Sequence, residues 1–152
     1  MKVRQEAAQP VLSKRLRTSL AQIDRVVPAT LVELYGHLAR LGVRSAEPPF
    51  LRYHDPEFRD EDMDLEIGLP SEALVAAGAP LMSGELPAGP VAYVLHVGPY
   101  AEIGRAYQAL TLWMQEHGHE SAGPPRESYL VGPGQVPDSA EYRTEILWPI
   151  RP

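Results

Sequence analysis

Short stretches in which apolar and polar residues alternate occur in the first half of the chain, at residues 11–18 and 63–69. Such alternation predicts half-buried strands. Residues 89–97 and 141–150 are predicted to be the corresponding strands of the second half. Residues 50–54 and 126–131 each follow a pair of prolines, and we predict strands there as well. The pattern therefore indicates a protein rich in antiparallel sheet.

Two longer segments have the helical period instead. Residues 28–41 and 101–117 carry apolar side chains three or four positions apart. Gly42 and Gly118 follow them in the place where a glycine commonly ends a helix. Pro28 stands where a helix can begin, because a first-turn residue does not need its N–H group. Each half thus has the predicted order strand, helix, strand, strand.

The two halves also share sequence. Residues 42–53 and 118–129 have the same amino acid at six of twelve positions: the Gly, the Ser, the Ala, both prolines and the Tyr. We predict an α+β fold of two β-α-β-β modules about a pseudo-twofold axis, with a curved antiparallel sheet of about eight strands and two long helices on one face. Residues 1–152 are expected to form one domain, with half-modules 1–82 and 89–152 and a linker at 83–90. A functional crevice is expected where the halves meet.

Composition and charge exclude several classes of function. The chain has no cysteine, which excludes disulfides, thiol nucleophiles and thiolate metal sites. Its net charge is −6 and it has no basic block, so we expect no direct binding to nucleic acid. It has no signal-peptide pattern and no apolar run of membrane-spanning length. These features predict a soluble cytoplasmic protein with no membrane partner.

Metal and phosphate chemistry find little support in the sequence. The five histidines lie on different predicted elements, and no HExxH motif or calcium loop is present. The glycines of residues 98–100 and 131–135 are interrupted by prolines, which remove the backbone donors that a phosphate loop needs. We expect neither a metal site nor a cofactor. A Ser-His-Asp triad stays open, although no GxSxG motif occurs.

The most informative difference between the two copies is at one strand position. Glu127 stands where the first copy has Leu51, and in both copies a tyrosine follows two residues later, at Tyr53 and Tyr129. Alternate strand residues share a face, so we expect Glu127 and Tyr129 to point together. A lone carboxylate beneath a helix would be costly to desolvate, which favours the open face of the sheet. There it would attract an organic cation or act as a general base; the alternative is a solvated edge glutamate.

Tyrosine dominates the aromatic residues, with seven tyrosines and two tryptophans against two phenylalanines. A ring with a polar tip suits a pocket for planar ligands. For Tyr53, Tyr129 and Tyr142, on predicted strands, core and pocket roles are equally open. For Tyr107 and Trp113, on the second helix, packing between helix and sheet is favoured.

Several motifs together resemble a known family. They are His-Val-Gly-Pro-Tyr at 96–100, Trp-Met-Gln-Glu-His-Gly at 113–118, Arg-Glu-Ser-Tyr at 126–129, and the segment 141–150. They are similar to the GyrI-like domains, the effector-binding domains of AraC-type and MerR-type multidrug regulators. The resemblance implies a pair of SHS2-like β-α-β-β modules around a ligand pocket. It identifies Glu127 as the buried pocket glutamate and implies the ligand-binding set Glu127, Tyr129, Tyr142, Phe50, Tyr53, Tyr100, Ile103 and Trp113.

Three functions follow from this resemblance. The regulators carry a DNA-binding segment before the domain, whereas here the domain begins within the first dozen residues, so we expect a stand-alone member. The favoured function is binding of planar apolar or cationic compounds. The first alternative is a hydrolase of strained electrophiles such as cyclopropanes, with Glu127 as general base and Tyr142 or Tyr129 as proton donor. The second is a gyrase-inhibitor type of protein interaction through the acidic loop 55–62. Homodimer formation through residues 146–150 is left open.

Overall fold

A computed structural model describes residues 1–45, 48–57 and 59–152. Within them lie two long helices and eight strands, which confirms the predicted α+β class and the number of strands. The helices are α1 (Ile23–Leu41) and α2 (Ile103–Glu116). The strands are β1 (Lys2–Glu6), β2 (Gln9–Thr18), β3 (Phe50–Tyr53), β4 (Met63–Pro70), β5 (Leu81–Leu86), β6 (Gly89–Val97), β7 (Arg126–Val131) and β8 (Arg143–Pro149).

The chain divides into two compact units of similar construction. The first unit is Ala8–Pro87, and the second unit is Ala88–Pro152 together with Met1–Ala7. Each unit contains four antiparallel strands and one long helix, in the order β3-β4-β2-β5 in the first and β1-β6-β8-β7 in the second. The duplication predicted from the sequence is therefore present in the fold.

In the first unit, α1 covers one face of its sheet. Lys14 of β2 forms an ion pair with Glu33 of α1 at 2.9 Å, so the face that carries Lys14 is the helix face. Ile67 lies opposite Lys14 and Leu51 lies opposite Ile67, which places both on that face. They are fully buried together with Leu34 and Leu38 of α1 and the alternate β4 residues Leu65 and Leu69. Burial of these leucines and isoleucines, each worth about 1.5–3 kcal/mol, forms the core of this unit.

The opposite face of the same sheet holds a buried ion cluster. Glu66 is 4% exposed and accepts hydrogen bonds from Ser13 Oγ at 2.7 Å and from Arg52 at 2.7 and 2.9 Å. His54 Nε2 donates to the same carboxylate at 2.8 Å. Burial acts to raise the pKa of Glu66, but the hydrogen bonds from Ser13 and Arg52, the charge of Arg52 and the bond from His54 hold it below its ordinary value. The carboxylate is thus satisfied within its own unit.

In the second unit, α2 packs on one face of the sheet. Leu110 and Met114 of α2 are buried against Ala92 of β6, Ile146 of β8 and the neighbouring Ile150. The edge strand β1 is tied to this sheet by Arg4, which forms two hydrogen bonds with Glu145 and lies 4.3 Å from the centre of the Tyr93 ring. The first seven residues therefore belong to the second unit, although the sequence pattern had grouped them with the first half.

Three elements differ from the prediction. β1 was missed because its apolar content is low and it is formed by pairing with β6. The predicted linker 83–90 contains the end of β5 and the beginning of β6, because pairing of β5 with β2 outweighs the Ser-Gly-Glu sequence typical of a loop. α1 begins at Ile23, so Pro28 lies inside the helix rather than at its start.

Candidate functional site

Glu127 and Tyr129 point to the same side of β7, as predicted, but toward α2. Glu127 lies directly opposite Ile146 of β8, and Ile146 packs in the core beneath α2. Residues directly opposite each other in a sheet share a face, so Glu127 is on the helix face. The expectation that it occupies the open face is therefore wrong.

Two tyrosine hydroxyls explain how the carboxyl group is accommodated there. Tyr107 of α2 donates a hydrogen bond to Glu127 Oε2 at 2.7 Å, and Tyr129 donates to Oε1 at 3.0 Å. Glu127 is 4% exposed. Each hydrogen bond to a charged group contributes about 1.5–3 kcal/mol, which offsets much of the desolvation cost on which the open-face expectation rested. The carboxylate beneath the helix is not alone.

An aromatic cluster adjoins this carboxylate. The Tyr100 ring lies 5.6 Å from the Tyr129 ring in an edge-on arrangement and 5.1 Å from the tilted Tyr142 ring. On the other side, the Tyr107 ring meets the Trp148 ring edge-on at 6.4 Å. The structure thus brings together four predicted site residues, namely Glu127, Tyr129, Tyr142 and Tyr100.

The electrostatic environment of the cluster is negative. Burial, the neighbouring Tyr142 and the charge of Glu127 together raise the pKa of Tyr100. The part due to Glu127 arises because a nearby negative charge opposes formation of a phenolate. The same field favours a cation placed among these rings.

Gly132 lies close to the Tyr100 hydroxyl group. A Cβ atom on Gly132 would lie 2.8 Å from the Tyr100 hydroxyl oxygen, so only glycine permits this approach without a shift. The turn that follows is closed by Gln135, whose side-chain oxygen accepts from the Gly132 N–H at 2.8 Å and whose own N–H donates to the Gly132 carbonyl at 3.1 Å. The cluster therefore rests against a well-connected turn.

The two predicted site residues on α2 lie in the helix–sheet packing. Ile103 and Trp113 are partly buried against the core of the second unit. The Trp113 ring also stacks on two histidine rings, with centres 4.4 Å from His117 and 5.4 Å from His119. This agrees with the packing role that the sequence favoured for Trp113.

The two predicted site residues of the first unit have different surroundings. Phe50 is 2% exposed and clusters with Val11 and Leu86, and its ring lies so close to Gly68 that a Cβ there would be 2.6 Å from its Cε1 atom. Tyr53 is half-buried at the end of β3 and shares the face of Leu51. Phe50 thus has a clear packing role within its unit.

Tyr107 and Trp148 were not among the predicted site residues, although both adjoin Glu127 or its partners. A signal for Tyr107 was present, because it stands where the first copy has Leu31. The repeat therefore departs twice in a concerted way: Leu31 and Leu51 correspond to Tyr107 and Glu127, which are hydrogen-bonded.

The acidic loop 55–62 carries internal ion pairs, and its residue 58 lies outside the described residues. Arg59 lies 4.0 Å from Asp55 and 3.7 Å from Asp62, which also pairs with Arg17 at 3.3 Å. These contacts neutralise part of the charge that a nucleic-acid mimic would present. Among all the residues that the structure describes, no group of three or more acidic or histidine side chains is arranged to hold a metal ion.

The first unit has an open surface depression of about 510 Å³ at the end of α1, lined by Tyr35, Leu38, Ala39, Val43, Arg44 and Ser45. It lacks a carboxylate and a cluster of rings, so it offers less chemistry than the Glu127 cluster. Neither α1 nor α2, the long helices of the described residues, is both long and apolar enough to cross a membrane.

Comparison with known proteins gives a family and several relatives of known structure. The family model of the GyrI-like small molecule binding domain matches residues 1–151. The C-terminal domain of EcmrR is similar, with a TM-score of 0.82 and 25% identity over 99% of this chain and 96% of that one. EcmrR in a complex with DNA gives a TM-score of 0.86 at 26% identity over 99% of this chain. That match covers 56% of EcmrR, so this chain spans about half the length of that protein.

Two further structures share the fold at lower identity. A hydrolase from Listeria innocua has a TM-score of 0.72 and 12% identity, covering 99% of this chain and 91% of that one. SAV2435 bound to tetraphenylphosphonium has a TM-score of 0.62 and 12% identity, covering 99% of this chain and 93% of that one. At this identity the likeness concerns the fold alone. No curated protein matches the chain.

Proposed function

Because the chain belongs to the GyrI-like family of small-molecule-binding domains, we propose that it binds planar apolar or cationic compounds through Glu127 and the surrounding aromatic rings. The observation that carries the proposal is the placement of Glu127. It is a nearly fully buried carboxyl group that accepts hydrogen bonds from the hydroxyls of Tyr107 and Tyr129 and lies beside the aromatic cluster. A negative charge next to aromatic faces attracts an organic cation.

The rings of Tyr100, Tyr129 and Tyr142 supply the second part of the site. A cation over an aromatic face gains about 0.5–2 kcal/mol per ring, and apolar contact adds about 25 cal/mol per Å². Tyr100 is a neutral phenol at physiological pH, because the ordinary pKa of tyrosine is already 10.0 and burial raises it further, so this ring presents an uncharged surface to apolar ligands. Binding of tetraphenylphosphonium by SAV2435, a protein of the same fold, makes that cation a suitable probe.

The roles of the other four predicted residues in ligand binding are still predictions made from the sequence. Ile103 and Trp113 line the helix side of the second unit, where they contribute apolar surface. Tyr53 and Phe50 belong to the first unit, and their part in binding rests on the family resemblance. We expect substitutions at Tyr100, Tyr129 and Tyr142 to weaken binding more than substitutions at these four positions.

Fluorescence titration with tetraphenylphosphonium as competitor of a bound dye tests the proposal. Glu127→Gln keeps the size of the side chain and removes its charge, and we expect it to weaken cation binding about tenfold or more, as for loss of a desolvated charge contact. Glu120→Gln is the matched control, since Glu120 is exposed in the same unit, and it should stay within about twofold. Equal affinities of wild type and Glu127→Gln for the cation would contradict the proposal.

One arrangement favours hydrolysis as a second candidate. A carboxyl group and a phenol lie within hydrogen-bond distance at Glu127 and Tyr129, the residue types of a general base and a proton donor. In that reaction Glu127 would take a proton from a water molecule while the water oxygen attacks the strained carbon, and a tyrosine hydroxyl would protonate the departing group. Mass spectrometry of a cyclopropane-bearing electrophile distinguishes the two functions. A hydrolase binds and converts it, and Glu127→Gln then binds without turnover.

A further inference from the structure

Thr144 of β8 has an unusual environment. Its side chain is completely buried, with 0% exposure. Within the described residues its Oγ1 atom is the buried side-chain oxygen or nitrogen with no hydrogen-bond partner. Buried hydroxyl groups in native proteins are nearly always hydrogen-bonded, and each exception calls for an explanation. The explanation we consider is that this hydroxyl serves a ligand.

The position of Thr144 connects it to the candidate site. In the sheet it lies directly opposite Tyr129 on one side and His96 on the other. It is two residues before Ile146, so it shares the face that is covered by α2. The neighbouring pair on that face is Glu127 and Ile146. On this face of the sheet, the pair of Thr144 and Tyr129 is therefore next to the pair of Ile146 and Glu127.

A β-bulge marks the same place. Tyr129 pairs with Thr144, and the next pair is Val131 with Arg143, so β7 has one extra residue at this point. Bulges re-aim side chains and occur preferentially at sheet edges and beside functional sites. This irregularity is independent of the missing hydrogen bond, and both occur at the pair of Tyr129 and Thr144.

The Tyr100 ring lies among the residues near Thr144. It contacts the ring of Tyr129, which lies opposite Thr144 in the sheet, and the ring of Tyr142, which precedes Thr144 by two residues in the chain. Tyr100 is half-buried and begins a short 3-10 turn, Tyr100–Glu102. A surface turn of this kind moves more readily than a strand, so we expect this ring to give way to the ligand.

We propose that Thr144 is a specificity-determining residue of the ligand site, exchanging a hydrogen bond with a polar group on the ligand while Glu127 binds its positive charge. The ligand class is then a planar cation with an amine or hydroxyl group near its charged centre, rather than a cation that is apolar throughout. The inference rests on the proposed function, because it adds a second polar contact to the same site.

Two cationic probes and two variants test the inference. Ethidium is planar and carries aromatic amines, whereas tetraphenylphosphonium has no hydrogen-bonding group. Thr144→Val preserves the shape and removes the hydroxyl, and we expect it to weaken ethidium binding about three- to tenfold, the fold-change of one hydrogen bond. Tetraphenylphosphonium affinity should change less than about twofold. Thr144→Ser keeps the hydroxyl and should retain ethidium binding.

The stability of the free protein gives a second readout. Replacing an unpartnered buried hydroxyl with a methyl group relieves its desolvation cost, so Thr144→Val should melt at a higher temperature than wild type. A purely structural threonine would melt lower. This measurement needs no ligand and therefore does not depend on the proposed function.

The contrary outcomes are distinguishable. If the wild-type protein binds neither probe, the proposed function fails and this inference fails with it. If it binds both probes and Thr144→Val weakens both equally or neither, the proposed function stands and the role of Thr144 is overturned. A wild type that binds tetraphenylphosphonium but not ethidium also overturns it. A lowered melting temperature for Thr144→Val overturns the premise that its hydroxyl is unsatisfied.

Discussion

Substitution of Gly132 by alanine tests the packing of the aromatic cluster. The added Cβ would lie 2.8 Å from the Tyr100 hydroxyl oxygen and must retreat to at least 3.4 Å for an ordinary contact. The backbone of Gly132 is not in the left-handed region, so alanine adds no strain of its own. The Tyr100 ring must therefore shift by about 0.6 Å against the rings of Tyr129 and Tyr142.

The expected cost follows from this geometry. Overpacking typically costs about 1–3 kcal/mol, and each of the two ring pairs that would be disturbed contributes about 0.5–1.5 kcal/mol. We expect Gly132→Ala to lower the free energy of unfolding by about 1–2 kcal/mol. Urea denaturation followed by tryptophan fluorescence measures it, provided that the slope with denaturant stays unchanged.

Two further variants isolate the cause. Tyr100→Phe removes the oxygen atom that the new Cβ would meet, so Gly132→Ala should cost clearly less in the Tyr100→Phe background. Gly104 lies exposed in α2 with open space around it, and Gly104→Ala should stabilise the protein by about 0.5–1 kcal/mol. A neutral or stabilising Gly132→Ala substitution, or an equal cost in the wild-type and Tyr100→Phe backgrounds, would refute this explanation.

Three other predictions concern charge and packing. The pKa of Tyr100 is raised above its ordinary value of 10.0 by burial, by Tyr142 and by the charge of Glu127. The contribution of the protonated Tyr100 to folding stability is therefore complete below pH 10 and is lost as the pH rises through the raised pKa. Absorbance at high pH should show this titration move down in Glu127→Gln. The lowered pKa of Glu66 means that its stabilisation is present above pH 4.5 and is lost as pH falls through the folded-state value. The Arg52→Met variant should therefore unfold at a higher pH than the wild-type protein when the solution is acidified, and circular dichroism measures this unfolding. Gly68→Ala should destabilise the first unit by about 3 kcal/mol in a thermal melt, because its Cβ would meet the Phe50 ring; an unchanged melt would contradict that packing.

The strands and helices that could be predicted are those whose own pattern of apolar and polar residues determines their structure. β4 alternates because its apolar residues pack under α1, whereas Glu66 on the other face belongs to the buried ion cluster, and α2 has its apolar stripe because that stripe forms the core. β1 and β5 could not be predicted in this way, since their hydrogen bonds with β6 and β2 determine them rather than their side chains.

The candidate site was predicted in part for a related reason. The sequence shows that the two copies differ at Glu127, but it does not show which face of the sheet this side chain occupies. The assignment to the open face treated the carboxylate as lone, and the hydroxyls of Tyr107 and Tyr129 reverse that argument. Thr144 was not predicted, because a threonine on a strand gives no signal until its missing hydrogen bond is seen in three dimensions.

The charge of Glu127 is the property on which the proposed ligand preference depends most directly. Calorimetric titration with tetraphenylphosphonium and with triphenylphosphine oxide, which keeps three of the four phenyl groups and carries no net charge, measures that dependence. We predict that the wild-type protein and Glu120→Gln prefer the cation, and that Glu127→Gln loses this preference while still binding the neutral compound. A preference for the cation that persists unchanged in Glu127→Gln would contradict the account.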